Sequence, residues 1–156
     1  MLCVKTIKQN SAVHGIGLFS DQDIPTGTVI WRFQDGFDQV FTESEIRALP
    51  KEAQIFLARH AYMSKKTGRF ILDSDDGRYF NHSETSNSAT KSSPEGLEDV
   101  IVAIKHIKQG EEITIDYANQ EDDTSEKNIL WGLYKQHNLV DEADPRLKNA
   151  LKSKDA

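Results

Sequence analysis

Short apolar runs, most of them joined by turn residues rather than helices, constrain this chain more than any other feature. Val29-Ile30-Trp31-Arg32-Phe33 carries the β-branched and aromatic residues that fit a pleated surface. Phe70-Ile71-Leu72 is shorter and is closed by Asp73-Ser74-Asp75-Asp76-Gly77. Val100 to Ile104 is apolar throughout, as expected of a strand covered on both faces. Ile113, Ile115 and Tyr117 alternate with Thr114 and Asp116, the period of a strand. Leu2, Val4 and Thr6 predict an opening strand, and His14 to Ser20 a Gly-rich turn feeding a second. Asp23-Ile24-Pro25-Thr26-Gly27-Thr28 is a turn by its Pro and Gly. The strand–helix alternation of a doubly wound parallel sheet is missing. The expected class is therefore mostly β, or α+β.

Helix signals are confined to the middle and the end. Thr42-Glu43-Ser44-Glu45 is a capping box, opening one or two helices that reach about His60 and break near Pro50. Ile46, Leu49, Ile55, Phe56 and Leu57 are expected on their buried face. Ser86 to Gly96 reads as an exposed loop. Glu121-Asp122-Asp123 reads as an acidic linker, Ser125 as the cap of a helix carrying Ile129, Leu130, Leu133 and Tyr134, and Asp144-Pro145 as the start of a last short helix before a Lys-rich end.

Composition removes several function classes. Cys3 is the only cysteine, so neither an internal disulfide nor a cysteine-built zinc site is expected. The five histidines show no ligand spacing. The net charge of −6 argues against nucleic acid and favours a Lys/Arg-rich partner. No apolar run reaches membrane-spanning length, and no signal peptide is expected, so the chain reads as soluble and intracellular, in cytoplasm or nucleus.

One run fits none of these elements. Arg78-Tyr79-Phe80-Asn81-His82-Ser83-Glu84-Thr85-Ser86-Asn87 places seven polar or small residues behind two aromatics. It is costly to bury unless its polar groups find partners, so it is either a solvated turn or a hydrogen-bonded site. Gly15-Ile16-Gly17, taken alone, is more often a plain turn than a ligand contact. His82 alone is more often structural than catalytic, and Tyr117 alone is a strand-end tyrosine. No Gly-x-Ser-x-Gly elbow supports a hydrolase.

Together, in this order, the three are specific. A Gly-x-Gly turn, then Arg-Tyr-Phe-Asn-His-Ser with Asn87 following, then Gly110-Glu111-Glu112-Ile113-Thr114-Ile115-Asp116-Tyr117 resembles the SET-domain family of protein-lysine methyltransferases over roughly residues 4 to 118. The resemblance implies small curled β-sheets around a knot-like crossing, in which the strand leading to Tyr117 passes the Asn81-His82 run. It implies S-adenosylmethionine as cofactor and S-adenosylhomocysteine as product. The backbone of His14, Gly15, Ile16 and Gly17 would meet the methionine part; Asn81 and His82 would hold the amino-acid end and the adenine. Tyr117 would be the catalytic tyrosine. Tyr62 would be a pocket tyrosine that meets the cofactor and, with Ile115 and Tyr117, lines the substrate-lysine channel; Ile115, having no hydroxyl, predicts di- or trimethylation. A catalytic domain over about 1–118, with an insert over about 42–70, would be followed by a closing segment over about 119–156.

Glu84 departs from the family pattern, standing where many relatives have a cysteine. No cysteine cluster follows, so another element must close the site. Trp131 and Tyr134 are the candidates: Trp131 either caps the channel or stacks on adenine, or is simply a core aromatic of an amphipathic helix. Glu111, Glu112, Asp116, Glu121, Asp122, Asp123 and Glu126 either steer a basic peptide such as a histone tail or form a solvated linker. The rival functions are a non-catalytic SET domain that binds a partner, and a methyltransferase of a non-histone acceptor. Oligomeric state is not legible.

Overall fold

Turn chemistry divides the chain into strands of two to five residues, which assemble as several small sheets instead of one. The structure, a computed structural model, describes residues 1–117 and 129–139. Strands β1 (Thr6–Asn10) and β2 (Ile16–Ser20) form an antiparallel hairpin registered from Thr6 opposite Ser20 to Asn10 opposite Ile16. Its turn is made possible by Gly15, whose φ is +48°. Strand β3 (Val29–Trp31) pairs antiparallel with β9 (Val100–Ala103), and β9 with β8 (Ser88–Lys91). The apolar run at Val100 thus takes the centre of a three-stranded sheet. A second such sheet has the order β4 (Gln39–Phe41), β6 (Phe70–Leu72), β5 (Tyr62–Met63). The fourth sheet is a short parallel pair, β7 (Asn81–His82) with β10 (Thr114–Ile115).

The helices follow the predicted caps. Thr42 accepts from the Glu45 amide while the Glu45 carboxylate accepts from the Thr42 amide, opening α1 (Glu43–Ala48). Pro50 interrupts, and α2 (Lys51–His60) begins directly after it. Helix α3 (Ile129–Gln136) packs on α2.

Two apolar cores result. One joins α1, α2 and α3 to the β5–β6 hairpin through Ile46, Leu57, Phe70, Leu72, Leu130 and Leu133. The other lies beneath the hairpin and the β3–β9–β8 sheet and holds Leu18, Ile30, Trp31, Phe80, Ile113 and Ile115, with Tyr117 packed at its margin. Each such aliphatic side chain stabilises the fold by roughly 1.5–3 kcal/mol when fully buried. The second core positions the site.

Four sequence expectations are corrected. The opening strand begins at Thr6; Leu2 makes an isolated bridge to Trp31, closed by the Cys3 amide on Ile30 O at 2.7 Å and the Arg32 amide on Met1 O at 3.1 Å, and its own amide donates to Asp75 Oδ2 at 2.6 Å. Ser86 to Gly96 is not all loop. Ser88–Lys91 is the edge strand β8, and Ser88 is fully buried, its hydroxyl donating to the Thr114 carbonyl at 2.8 Å. Asn81-His82 is a strand despite its polarity, since β10 supplies the partner its composition could not announce. Phe56 is exposed, 4.7 Å from the His60 ring, while Leu57 and Ala58 face the core. The linker at 121–123, the Ser125 cap and the Asp144-Pro145 helix lie outside the described residues. No helix among the described residues is long and apolar enough to cross a membrane.

Candidate active site

The polar run is anchored at Asn81, which is buried in a hydrogen-bonded node, while Glu84 and Thr85 are exposed. The terminal Nδ2 of Asn81 meets three acceptor oxygens: His14 O at 3.0 Å, Ile16 O at 3.3 Å and Glu112 Oε1 at 2.9 Å. Only a nitrogen satisfies three acceptors, so the amide orientation follows from its neighbours. The Gly turn is therefore tied to β7 by a side chain rather than by strand pairing. Gly17 is a glycine for a different reason from Gly15. A Cβ there would overlap Glu112 Oε1, at 2.8 Å from its Cδ and 3.0 Å from Asn81 Nδ2. Around Gly15 nothing lies within 4 Å, and only its φ requires glycine.

Asn87 does the same work on the other side of β10. Its Nδ2 donates to Glu112 O at 2.8 Å, and its Oδ1 accepts from the Thr114 amide at 3.0 Å. The amide side chain thus imitates a strand beside residues 112–114. The Ser83 amide donates to Ile115 O at 2.9 Å, and the Ile113 amide to Leu18 O at 2.8 Å. The late segment is clasped between β2 and the Asn81–Asn87 stretch.

This clasp sets Tyr117. Its hydroxyl donates to Phe80 O at 2.6 Å, so the lone pairs of Oη are what the hydroxyl can offer a ligand. Its amide donates to His82 Nδ1 at 3.2 Å, and the two rings lie 5.3 Å apart. Nδ1 is thereby an acceptor, which puts the proton of neutral His82 on Nε2. Asp116 Oδ1 stands 3.7 Å from the same nitrogen.

His14, Ile16, Gly17, Asn81, His82 and Tyr117 are thus brought together, with Ile115 buried in the core beneath them. Tyr62 is buried on β5, opposite Ile71, in another sheet. Trp131 is half-buried against the α1–α2–α3 core, stacked 5.7 Å from the Tyr134 ring, with Lys135 Nζ 5.4 Å from its centroid. Tyr134 itself is a core residue. Of the acidic cluster, Glu111 is exposed, whereas Glu112 is turned inward onto Ser11 and Asn81; Glu121, Asp122, Asp123 and Glu126 lie outside the described residues.

A second buried polar cluster sits at the other end of the short 3₁₀ helix Asp76–Tyr79. Asp73 is buried, and neither its Oδ1 nor Trp31 Nε1 has a hydrogen-bond partner among the described residues. Burial pushes the Asp73 carboxyl up to about 8; Asp38 and Asp75 add to the rise, while the Met1 ammonium and Arg78 oppose it. Asp38 pairs with that ammonium at 2.9 Å.

Sequence reasoning missed the inward role of Glu112 and its partner Ser11. Two signals pointed to it: Gly17, a glycine without a positive φ, and Glu112 itself, a charge placed among strand residues.

Comparisons with known proteins bear on family and fold. The family model described as SET domain matches residues 15–118. A Plasmodium falciparum protein assigned as a histone methyltransferase superposes with a TM-score of 0.50 at 21% identity, over 73% of this chain and 93% of its own. A humanized mutant of the Chaetomium thermophilum Polycomb Repressive Complex 2, bound to an inhibitor, gives 0.57 at 20% identity, over 76% of this chain and 15% of that one. At such identities the likeness is one of fold.

Proposed function

The chain belongs to the SET-domain family, and from that premise we propose that it is an S-adenosylmethionine-dependent protein-lysine N-methyltransferase acting on a basic protein. One observation carries the proposal: Tyr117 Oη is held on the carbonyl of Phe80, the residue immediately before Asn81, whose amide orders the Gly turn. The catalytic tyrosine and the cofactor cradle are one hydrogen-bonded unit.

The residues present fit the cofactor. With Nδ2 committed to His14 O, Ile16 O and Glu112, Asn81 presents an acceptor, Oδ1, suited to an ammonium group. The open space at Gly15 and the ordered turn 14–17 suit a close backbone contact. S-adenosylmethionine, when bound, supplies an electrophilic methyl group on a positively charged sulfur. The chain's part is to position and desolvate. Tyr117 Oη acts as a fixed acceptor, because its own proton is engaged with Phe80 O. The attacking lysine amine must be neutral, and its ordinary pKa of about 10.4 works against that. The apolar surroundings of Ile115 favour the uncharged form. Ile115 also brings no hydroxyl to restrain further transfer, so di- and trimethyl products are expected. Tyr62 and Trp131 would complete the channel from β5 and α3. The histone-modifying names of the fold neighbours, with the acidic balance of the chain, favour a histone or histone-like substrate.

Tritium transfer from labelled S-adenosylmethionine to histones and to fractionated basic proteins tests this. We expect label on lysine with wild type and none above background with Tyr117→Phe. A wild-type protein that binds the cofactor yet labels nothing would instead favour a binding module.

A further inference from the structure

The turn that leads into β2 buries almost nothing of its own. Val13 and Ile16 are each 48% exposed, and Ala12 and Gly15 are exposed as well. With no apolar anchor, polar ties must set the position of this turn, and they converge on one carboxylate. Ser11 Oγ lies 2.8 and 2.9 Å from the two oxygens of Glu112, a residue 101 positions away in sequence. The same Ser11 oxygen accepts from the amides of Val13, at 2.9 Å, and His14, at 3.3 Å. The hydroxyl therefore spends its proton on Glu112 and its lone pairs on the turn. Glu112 Oε1 also accepts from Asn81, which holds His14 O and Ile16 O. The carboxylate fills the place a side chain at residue 17 would occupy.

We infer that Glu112 is a positioning residue. Its carboxylate bolts the 11–17 turn to β7 in the shape that receives the methionine end of the cofactor. This deepens the cofactor reading above and rests on it for its functional consequence. Glu112 need not touch cofactor or substrate; it acts through Ser11, Asn81 and the space at Gly17. A hydrogen bond to a charged group is among the stronger ones, and removing the charged partner leaves the remaining donors unsatisfied.

Glu112→Ala, Glu112→Gln and Ser11→Ala are to be compared with wild type by two readouts. The first is amide hydrogen exchange over residues 13–17 without any ligand. The second is calorimetric affinity for S-adenosylmethionine, alongside the split between cofactor KM and kcat. We expect Glu112→Ala to raise exchange at 13–17 and to weaken cofactor binding roughly tenfold to 100-fold, the loss falling mainly on KM. Glu112→Gln keeps an acceptor oxygen and should restore most of it, which a purely electrostatic role would not allow. Ser11→Ala should show the same pattern about fivefold more weakly than Glu112→Ala. Folded Glu112→Ala with wild-type exchange at 13–17 and wild-type affinity overturns the inference. If Glu112→Ala does not fold, unchanged exchange and affinity in Ser11→Ala overturn it. If wild type binds no cofactor, the functional proposal falls, while ligand-free exchange still decides whether the bolt exists.

Discussion

Two buried polar clusters flank the same 3₁₀ helix, and they are solved in opposite ways. At its C-terminal end, Asn81 Nδ2, both Glu112 oxygens and the Ser11 hydroxyl are all engaged with one another and with the Gly turn. At its N-terminal end, Asp73 Oδ1 and Trp31 Nε1 are buried with no partner among the described residues. A satisfied cluster fixes geometry, because any displacement of its members breaks several bonds at once. An unsatisfied carboxyl is instead neutralised, and its environment shows as a pKa raised to about 8. The first cluster is therefore an element of positioning and the second an element of pH-dependent stability.

Substitutions can break this contrast, and the largest effect is expected at the satisfied end. Tyr117→Phe removes the one hydroxyl fixed on the Phe80 carbonyl. Turnover should fall about 100-fold or more, as when a single preorganised polar group is lost from an active site. Cofactor affinity, read by calorimetry, should stay near wild type. Gly17→Ala comes next. Its methyl must displace the Glu112 carboxylate or Asn81, costing about 1–3 kcal/mol in urea melts and weakening cofactor binding. Gly15→Ala would be strained by φ alone and sharpens the distinction, since it meets no atom within 4 Å.

The unsatisfied end is probed by Asp73→Asn. The raised carboxyl contributes stability that is fully present below its ordinary value of 3.8 and is lost as pH rises through about 8. Wild type should thus lose stability across that window, and Asp73→Asn should flatten the dependence, gaining about 1–3 kcal/mol relative to wild type at the alkaline end. Melts at both ends of the window check this; parallel pH curves for the two proteins would show that Asp73 is not the group responsible. The smallest effect belongs to a position outside both clusters. Thr42→Ala loses a capping box, so about 1 kcal/mol of stability should go with no change in cofactor affinity.

Local signals were legible wherever the residue carried its own reason. The capping box at Thr42, the break at Pro50 and the apolar run at Val100 each act within a few residues, and each element appears where its signal lies. Strands β7 and β8 were hidden because their reasons lie far along the chain. Asn81-His82 becomes a strand only beside Thr114-Ile115, and Ser88 is buried only because it can donate to Thr114 O. The site divides in the same way. The Gly turn, Asn81, His82 and Tyr117 stand out as motifs, and the fold joins them. Glu112 reads as one more surface charge until Ser11 and Asn81 are placed against it. Trp131, read as a cap on the channel, a stack on adenine or a core aromatic, packs on the helical core.

The central claim is that the Asn81 node is a cofactor cradle. Calorimetric titration of S-adenosylmethionine into wild type and Gly17→Ala tests it most directly. We expect saturable one-to-one binding by wild type and a marked loss in a folded Gly17→Ala. No heat of binding from folded wild-type protein, or equal affinity in the two, would contradict it.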